Sequence, residues 1–154
     1  VAEVWRSFRG VEHRLELVGE RDGVRYYNDS IATTPARATA GLRTFAEPVI
    51  LLAGGYDKKL SFSQLAREIH ARAKAIVLFG ETAPQIEAAV LEVGDFPVYR
   101  AADMAEAVAI SRAVAVPGDV VLLSPGCASF GMYRNFAERG THFRQLVQEF
   151  LKED

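Results

Sequence analysis

Short apolar runs alternate with longer amphipathic stretches along most of the chain. Residues 49–53 and 120–123 are wholly apolar, which is typical of strands that are buried on both faces of a sheet. Residues 61–73 and 141–152 instead carry apolar side chains at helical spacing. Strands that alternate with helices of this length predict right-handed β-α-β units and a mostly parallel sheet.

The same pattern extends over the whole chain. An Asp22-Gly23 turn between 11–18 and 24–27 predicts a β-hairpin. Thr34 and Asp103 are placed to cap helices, the first of which begins with Pro35. The predicted helices are 35–45, 61–73, 83–93, 103–116 and 141–152, and the other predicted strands are 49–53, 75–79, 97–99 and 120–123. We expect a three-layer Rossmann-like α/β sandwich with about six strands, an N-terminal hairpin and one antiparallel edge strand.

The 154 residues suit one domain, and the composition narrows its class. A net charge of -2 gives no support for a nucleic-acid partner, and no apolar run reaches the ~20 residues of a membrane span. The single cysteine, Cys127, cannot form an internal disulfide, which suits a reducing cytoplasm. We therefore expect a cytoplasmic protein without nucleic-acid or membrane partners, and a monomer is our working expectation.

Polar and small residues are concentrated in three loops that follow predicted strands. The loops are 28–35, 54–59 and 124–130, and the last runs on to Asn135 and Phe136. Ligands of open α/β sheets bind beyond the carboxyl ends of the strands, so the three loops predict one composite site. Each loop also has a plainer explanation, because Asn, Asp and Ser can simply turn the chain and most lysines are solvated.

Other kinds of site have little support in the sequence. It contains neither a G-x-G-x-x-G dinucleotide fingerprint nor a G-x-x-x-x-G-K-[ST] phosphate loop. His13, His70 and His142 share no metal-ligand spacing with Cys127, so no metal site is expected. Cys127 as a nucleophile would need a base that the sequence does not place.

Five segments, in this order, resemble the Mur ligase family and, within it, the glutamate-adding enzymes. They are FRGVEHRLE at 8–16, NDSIAT at 28–33, LAGGYDK at 52–58, LSPGCASF at 123–130 and NFAERG at 135–140. The resemblance implies that 1–10 is a hinge from a central ATP-binding domain and that 11–154 is the C-terminal, amino-acid-binding domain. The family's ligases activate a carboxylate of the UDP-sugar substrate as an acyl phosphate, which the amine of the amino acid then attacks.

The resemblance also implies roles for individual residues. The substrates would be glutamate, UDP-N-acetylmuramoyl-L-alanine and ATP, in peptidoglycan synthesis, with ATP and Mg²⁺ bound mainly by the central domain. This domain alone would be inactive, because its part is to position the nucleophile. The glutamate contacts would be Thr33, Lys58, Ser129 and Phe136, with the backbone of Phe130. The residues near the nucleotide would be His13, Arg14, Asn28 and Asp29.

One departure from the family pattern affects the substrate. Ile31 stands where the commonest glutamate ligases have lysine after Asn-Asp-Ser, so a cation is missing there. D-glutamate is the expected substrate and L-glutamate the alternative. Further alternatives are a stand-alone α/β module that binds a small anion or amino acid, and a sibling ligase that adds alanine, a diamino acid, or further glutamates to folate. The Asp-Asn-Pro-Arg motif of the diamino-acid enzymes does not occur, which argues against that sibling.

Overall fold

The computed structural model describes residues 11–56 and 59–153. Its strands are β1 (Glu16–Arg21), β2 (Val24–Asn28), β3 (Val49–Gly55), β4 (Ala73–Gly80), β5 (Val98–Arg100) and β6 (Val120–Leu123). Its helices are α1 (Pro35–Arg43), α2 (Ser63–Arg72), α3 (Ala83–Val93), α4 (Met104–Val114) and α5 (Phe136–Leu151). None of these helices has both the length and the apolar composition that a bilayer span needs.

The strands form one sheet in the order β1-β2-β6-β3-β4-β5. Strand β1 pairs with β2 in the antiparallel sense, and all the other pairs are parallel. The predicted α/β sandwich, with its hairpin and antiparallel edge strand, is therefore confirmed.

Helices cover both faces of the sheet, which explains the wholly apolar strands. Every residue of β3 is buried. Val49, Leu51 and Ala53 pack with α1, α2 and α3 on one face. Ile50 and Leu52 point to the other face, where they pack with α4 and α5. A strand in the middle of three layers has no solvent face, so it carries no polar alternation.

Most predicted boundaries differ from the observed ones by three residues or fewer, but two starts beside the candidate site were wrong by five. Strand β1 begins at Glu16 and not at 11, because the chain turns at His13 (φ 65°) and Leu15 (φ 47°). Helix α5 begins at Phe136 and not at 141. The missed signal is a capping pattern, since Asn135 Oδ1 accepts a hydrogen bond from Glu138 N at 2.8 Å.

The other helix starts follow their caps. Thr34 Oγ1 accepts from Arg37 N (3.3 Å) at the start of α1, as predicted. Asp103 Oδ1 accepts from Glu106 N (2.8 Å) at the start of α4, also as predicted. These local bonds fix where each helix leaves the sheet and thus the length of the loops between them.

Candidate functional site

The three polar loops lie side by side at the carboxyl edge of the sheet. They follow β2, β6 and β3, which are neighbours in that order. Gly126 N donates to Ala32 O (2.8 Å), which joins the first loop to the third. Tyr56 N donates to Ala128 O (2.8 Å), which joins the second loop to the third. The expectation that the loops come together is therefore met, although the chain separates them widely.

The sheet topology opens a crevice on either side of β6. The helix that follows β6, α5, packs on one face of the sheet, whereas α1 and α2, which follow β2 and β3, pack on the other. Neighbouring strands whose helices leave to opposite faces are where α/β proteins bind ligands.

Gly54 allows the closest approach of backbones at this edge. Its φ of 131° is unfavourable for other residues, and a Cβ there would lie 1.9 Å from Phe79 O. Gly54 is thus required by the packing of β3 against β4, and a Cβ on Gly55 would lie 2.3 Å from Ala128 O, so both glycines have a structural reason that is independent of any ligand.

Asp29 is a buried carboxylate at the end of β2. It is 5% exposed, and its oxygens accept hydrogen bonds from Ser124 Oγ (2.8 Å) and Leu15 N (3.1 Å). Burial raises the pKa of this carboxyl to about 6, against the opposing effect of these bonds and of Arg14 and Arg37 nearby. Among the described residues no cation forms an ion pair with it.

A cleft of about 380 Å³ lies beside Asp29. Its walls are Arg14, Leu15, Asp29, Ile31, Ala32, Arg37, Ala40, Gly41 and Thr44. Two of the four residues predicted near the nucleotide, Arg14 and Asp29, therefore share one cleft. Ile31 lines it as well, so the position where the family usually has lysine contributes an apolar wall.

His13 is buried on the other side of β2, where its hydrogen bonds determine which ring nitrogen carries the proton. Asn28 Oδ1 accepts from Ser30 N (3.1 Å), which fixes the orientation of the Asn28 amide. Asn28 Nδ2 then donates, and it lies 3.0 Å from both His13 Nδ1 and Glu16 Oε1. The neutral His13 ring must therefore accept at Nδ1 and carry its hydrogen on Nε2.

Asn28 thus acts on His13 within the domain. Its amide is 0% exposed, and Gly140 O lies 3.4 Å from Nδ2 as a further acceptor. A direct bond from Asn28 to a nucleotide would break one of these contacts. The geometry favours Asn28 as a positioning residue for His13, and its predicted contact with the nucleotide stays a prediction.

Arg139 is the residue that sequence reasoning missed. It is 1% exposed, and its guanidinium donates to Ser30 Oγ (2.9 Å), Ser30 O (2.8 Å) and Cys127 O (3.0 Å). Ser30 Oγ in turn donates to Phe136 O (2.7 Å). Arg139 therefore ties the first loop, the third loop and the start of α5 together, and it sets where Phe136 lies.

Burial lowers the pKa of the Arg139 guanidinium to about 10, so the group is still charged at neutral pH. Its acceptors are neutral, which leaves the charge without a carboxylate partner in the described part of the chain. The signal was its place on the buried face of α5, in register with Phe143 and Val147. This spacing indicates that Arg139 is buried only if the helix starts at Phe136, because a helix that starts at 141 does not include Arg139.

The predicted glutamate residues are distributed along the same loops. The hydroxyls of Thr33 and Ser129 form no hydrogen bond with a described residue, so both can accept a ligand. Phe136 packs edge-on against His13, with 6.0 Å between ring centroids. Phe130 is 53% exposed and contacts Tyr56 edge-on. Lys58 lies outside the described residues.

These residues do not line the cleft beside Asp29. The predicted glutamate and nucleotide groups are linked, because Phe136 packs against His13 and accepts a hydrogen bond from Ser30 Oγ. No three metal-ligating side chains cluster within 11–56 and 59–153.

Comparison with known proteins identifies the family. The model of the Mur ligase glutamate ligase domain matches residues 13–127. The chain belongs to the Mur ligase family. A UDP-N-acetylmuramoylalanine–D-glutamate ligase of Symbiobacterium thermophilum is 55% identical over 96% of this chain, and one of Roseiflexus is 53% identical over 94%. The chain spans about a third of the length of these relatives (33% and 32%).

Solved structures of Mur ligases and related enzymes share the fold. The UDP-N-acetylmuramate–alanine ligase of Thermotoga maritima matches 96% of this chain and 33% of its own, with a TM-score of 0.64 and 15% identity. The folylpolyglutamate synthase/dihydrofolate synthase of Yersinia pestis matches 90% of this chain and 32% of its own, with a TM-score of 0.63 and 16% identity. At these identities the likeness concerns the fold alone.

Proposed function

We propose that this chain is the glutamate-binding domain of an ATP-dependent ligase that adds D-glutamate to UDP-N-acetylmuramoyl-L-alanine in peptidoglycan synthesis. The observation that carries the proposal is the high identity, over nearly the whole chain, with ligases named for this reaction. On this proposal residues 1–10 are the hinge from a central ATP-binding domain, and 11–154 are the C-terminal domain.

The domain's part in the reaction would be to position the amine of glutamate. The amine attacks the carbonyl carbon of the acyl phosphate, the C–N bond forms as the C–O bond to phosphate breaks, and inorganic phosphate leaves while the nitrogen gives up a proton to solvent. The unbonded hydroxyls of Thr33 and Ser129 suit a carboxylate of glutamate, and Lys58 would add a cation. Orientation of the nucleophile lowers the barrier without a catalytic side chain from this domain.

The nucleotide would be held between this domain and the central one. Arg14 suits a phosphate oxygen, and Asp29 suits ribose hydroxyls, because a carboxylate is an acceptor of hydroxyl hydrogens. The hydrogen on His13 Nε2 faces the exposed carboxylate of Glu12 at 3.2 Å, and a phosphate or hydroxyl oxygen would take the place of that carboxylate. We assign Mg²⁺ to the central domain. Closure about 1–10 would bring the two halves of the nucleotide site together.

The proposal is tested in the full-length ligase with Lys58→Ala. We expect the KM for D-glutamate to rise about tenfold or more, because a charge-assisted bond to a carboxylate is lost, while the KM for ATP stays unchanged. The matched control is Lys152→Ala, an exposed lysine beyond α5, which should change neither KM. An unchanged KM for glutamate in Lys58→Ala would contradict the assigned site.

The competing idea of a stand-alone binding module is separated by calorimetry on this chain. A ligase domain without its partner domains should bind glutamate weakly, because the rest of the pocket is missing. Micromolar binding of glutamate by the 154-residue chain would favour the binding module.

A further inference from the structure

Two arginines on the walls of the cleft beside Asp29 have no acceptor in the described part of the chain. Most arginines of the described residues donate to a carboxylate; Arg43 and Arg72, for example, donate to Glu68. The guanidinium groups of Arg14 and Arg37 donate to none of the described residues. Among residues 11–56 and 59–153, Arg67 on α2 is the only arginine outside the cleft whose guanidinium also donates to none of the described residues.

The two guanidinium groups reach the cleft from different elements. Arg14 lies just before β1, and Arg37 lies in the first turn of α1, where only its backbone N–H is bonded, to Thr34. Both side chains line the same 380 Å³ cleft. Two like charges that converge on one cleft repel each other unless an anion lies between them.

Asp29 does not supply enough negative charge to balance both cations. It is one carboxylate, and it already accepts from Ser124 and Leu15. Each guanidinium offers five N–H donors in a planar fork that matches phosphate oxygens. The remaining walls include Ile31 and Ala40, so the cleft combines cations, one acceptor and apolar surface.

We propose that Arg37 is a further anion-binding residue, which forms with Arg14 a two-guanidinium site for the phosphate chain of a nucleotide. The identity of the ligand as a nucleotide rests on the proposed function, whereas the anion site rests on the cleft itself. Arg37 also supplies positive charge to the cleft that Ile31 lines.

The test is calorimetric titration of the 154-residue chain with inorganic tripolyphosphate at low ionic strength. Arg37→Gln should weaken binding about five- to tenfold, because one charge-assisted contact is lost. The matched control is Arg67→Gln, which removes an exposed arginine away from the cleft that likewise donates to none of the described residues, and it should change the affinity by less than about twofold. Ile31→Lys in the Arg37→Gln background should restore most of the affinity, because it returns a cation to the same cleft.

Two results would overturn the proposal: an equal effect of Arg37→Gln and Arg67→Gln, or no binding of tripolyphosphate at millimolar concentration. Full-length ligase separates this proposal from the proposed function. A rise in the KM for ATP in Arg37→Gln, with glutamate KM unchanged in Lys58→Ala, would support the anion site and contradict the glutamate site. An unchanged KM for ATP in Arg37→Gln, with a raised KM for glutamate in Lys58→Ala, would contradict the anion site and support the glutamate site.

Discussion

The two edges of the sheet each bury a carboxylate, and they surround it differently. At the amino edge, Asp119 precedes β6, is 3% exposed, and lies 2.7 Å from Lys74 Nζ. At the carboxyl edge, Asp29 follows β2 and is 5% exposed, but it accepts only from a hydroxyl and a backbone N–H. The amino-edge charge is paired within the domain, whereas the carboxyl-edge charge is not paired with a described residue.

Cations show the same contrast. At the amino edge Arg72 and Arg43 share Glu68 as a partner. At the carboxyl edge Arg139 is buried against neutral oxygens, and Arg14 and Arg37 have no acceptor among residues 11–56 and 59–153. Unpaired charge lowers the stability of a free protein, and it is typical of sites where a ligand supplies the opposite charge.

The largest effect is expected at the buried arginine. Arg139→Met should lower the free energy of unfolding by about 3 kcal/mol, because buried oxygens of Ser30 and Cys127 lose their donors. Arg72→Met at the amino edge, a partly exposed ion pair, should cost less than about 1 kcal/mol. Urea unfolding of both variants checks this. An equal loss of unfolding free energy in the two variants would contradict the difference between the buried Arg139 and the partly exposed Arg72.

Replacement by asparagine should change the free energy of unfolding in opposite directions at Asp119, which is paired with Lys74, and at Asp29, which is not paired with a described residue. Asp119→Asn should destabilise the protein at pH 7 by about 2 kcal/mol, because Lys74 loses its partner. Asp29→Asn should stabilise it by on the order of 2 kcal/mol at pH 7, because the raised pKa means that burial of the charged form is unfavourable.

The Asp29 effect has a defined pH dependence. The folded-state pKa of about 6 exceeds the ordinary value of 3.8, so the folded state binds the proton more tightly. Stability from this group is therefore fully present below about pH 3.8 and is lost as the pH rises through 6. Thermal unfolding of wild type and Asp29→Asn at pH 4 and pH 8 measures this. A gain in Asp29→Asn that is equal at both pH values would contradict the assigned cause.

The prediction with the smallest effect on stability concerns which ring nitrogen of His13 carries the hydrogen. ¹⁵N NMR at neutral pH should show hydrogen on Nε2 and a bare Nδ1, because Asn28 Nδ2 donates to Nδ1. Asn28→Asp replaces this donor with an acceptor, so Nδ1 should carry a hydrogen in the variant. His70, whose Nε2 lies 2.8 Å from Val90 O, is the internal control and should keep its state. Hydrogen on Nδ1 in the wild type would refute the assigned arrangement.

Most of the fold was predictable because it depends on local patterns. The apolar runs of β3 and β6, the caps at Thr34 and Asp103, and the Asp22-Gly23 turn each act over a few residues. The start of α5 differs from the prediction, although the cap at Asn135 is equally local, because Asn135 and Phe136 continue the small and polar loop that follows β6. The proximity of the three loops followed from a general property of parallel sheets.

The sequence by itself determined the α/β class, the three loops and the family resemblance, because these follow from short-range patterning and from motifs in order along the chain. Only the tertiary structure decided that Arg139 is buried, that Asn28 faces His13, and that Arg37 shares a cleft with Arg14 and Asp29. The physical reason is that burial and pairing of a charge depend on residues distant in sequence. Whether Asp29 is stabilised by a cation, as Asp119 is, depends on the position of strands and not on the identity of its neighbours in the chain.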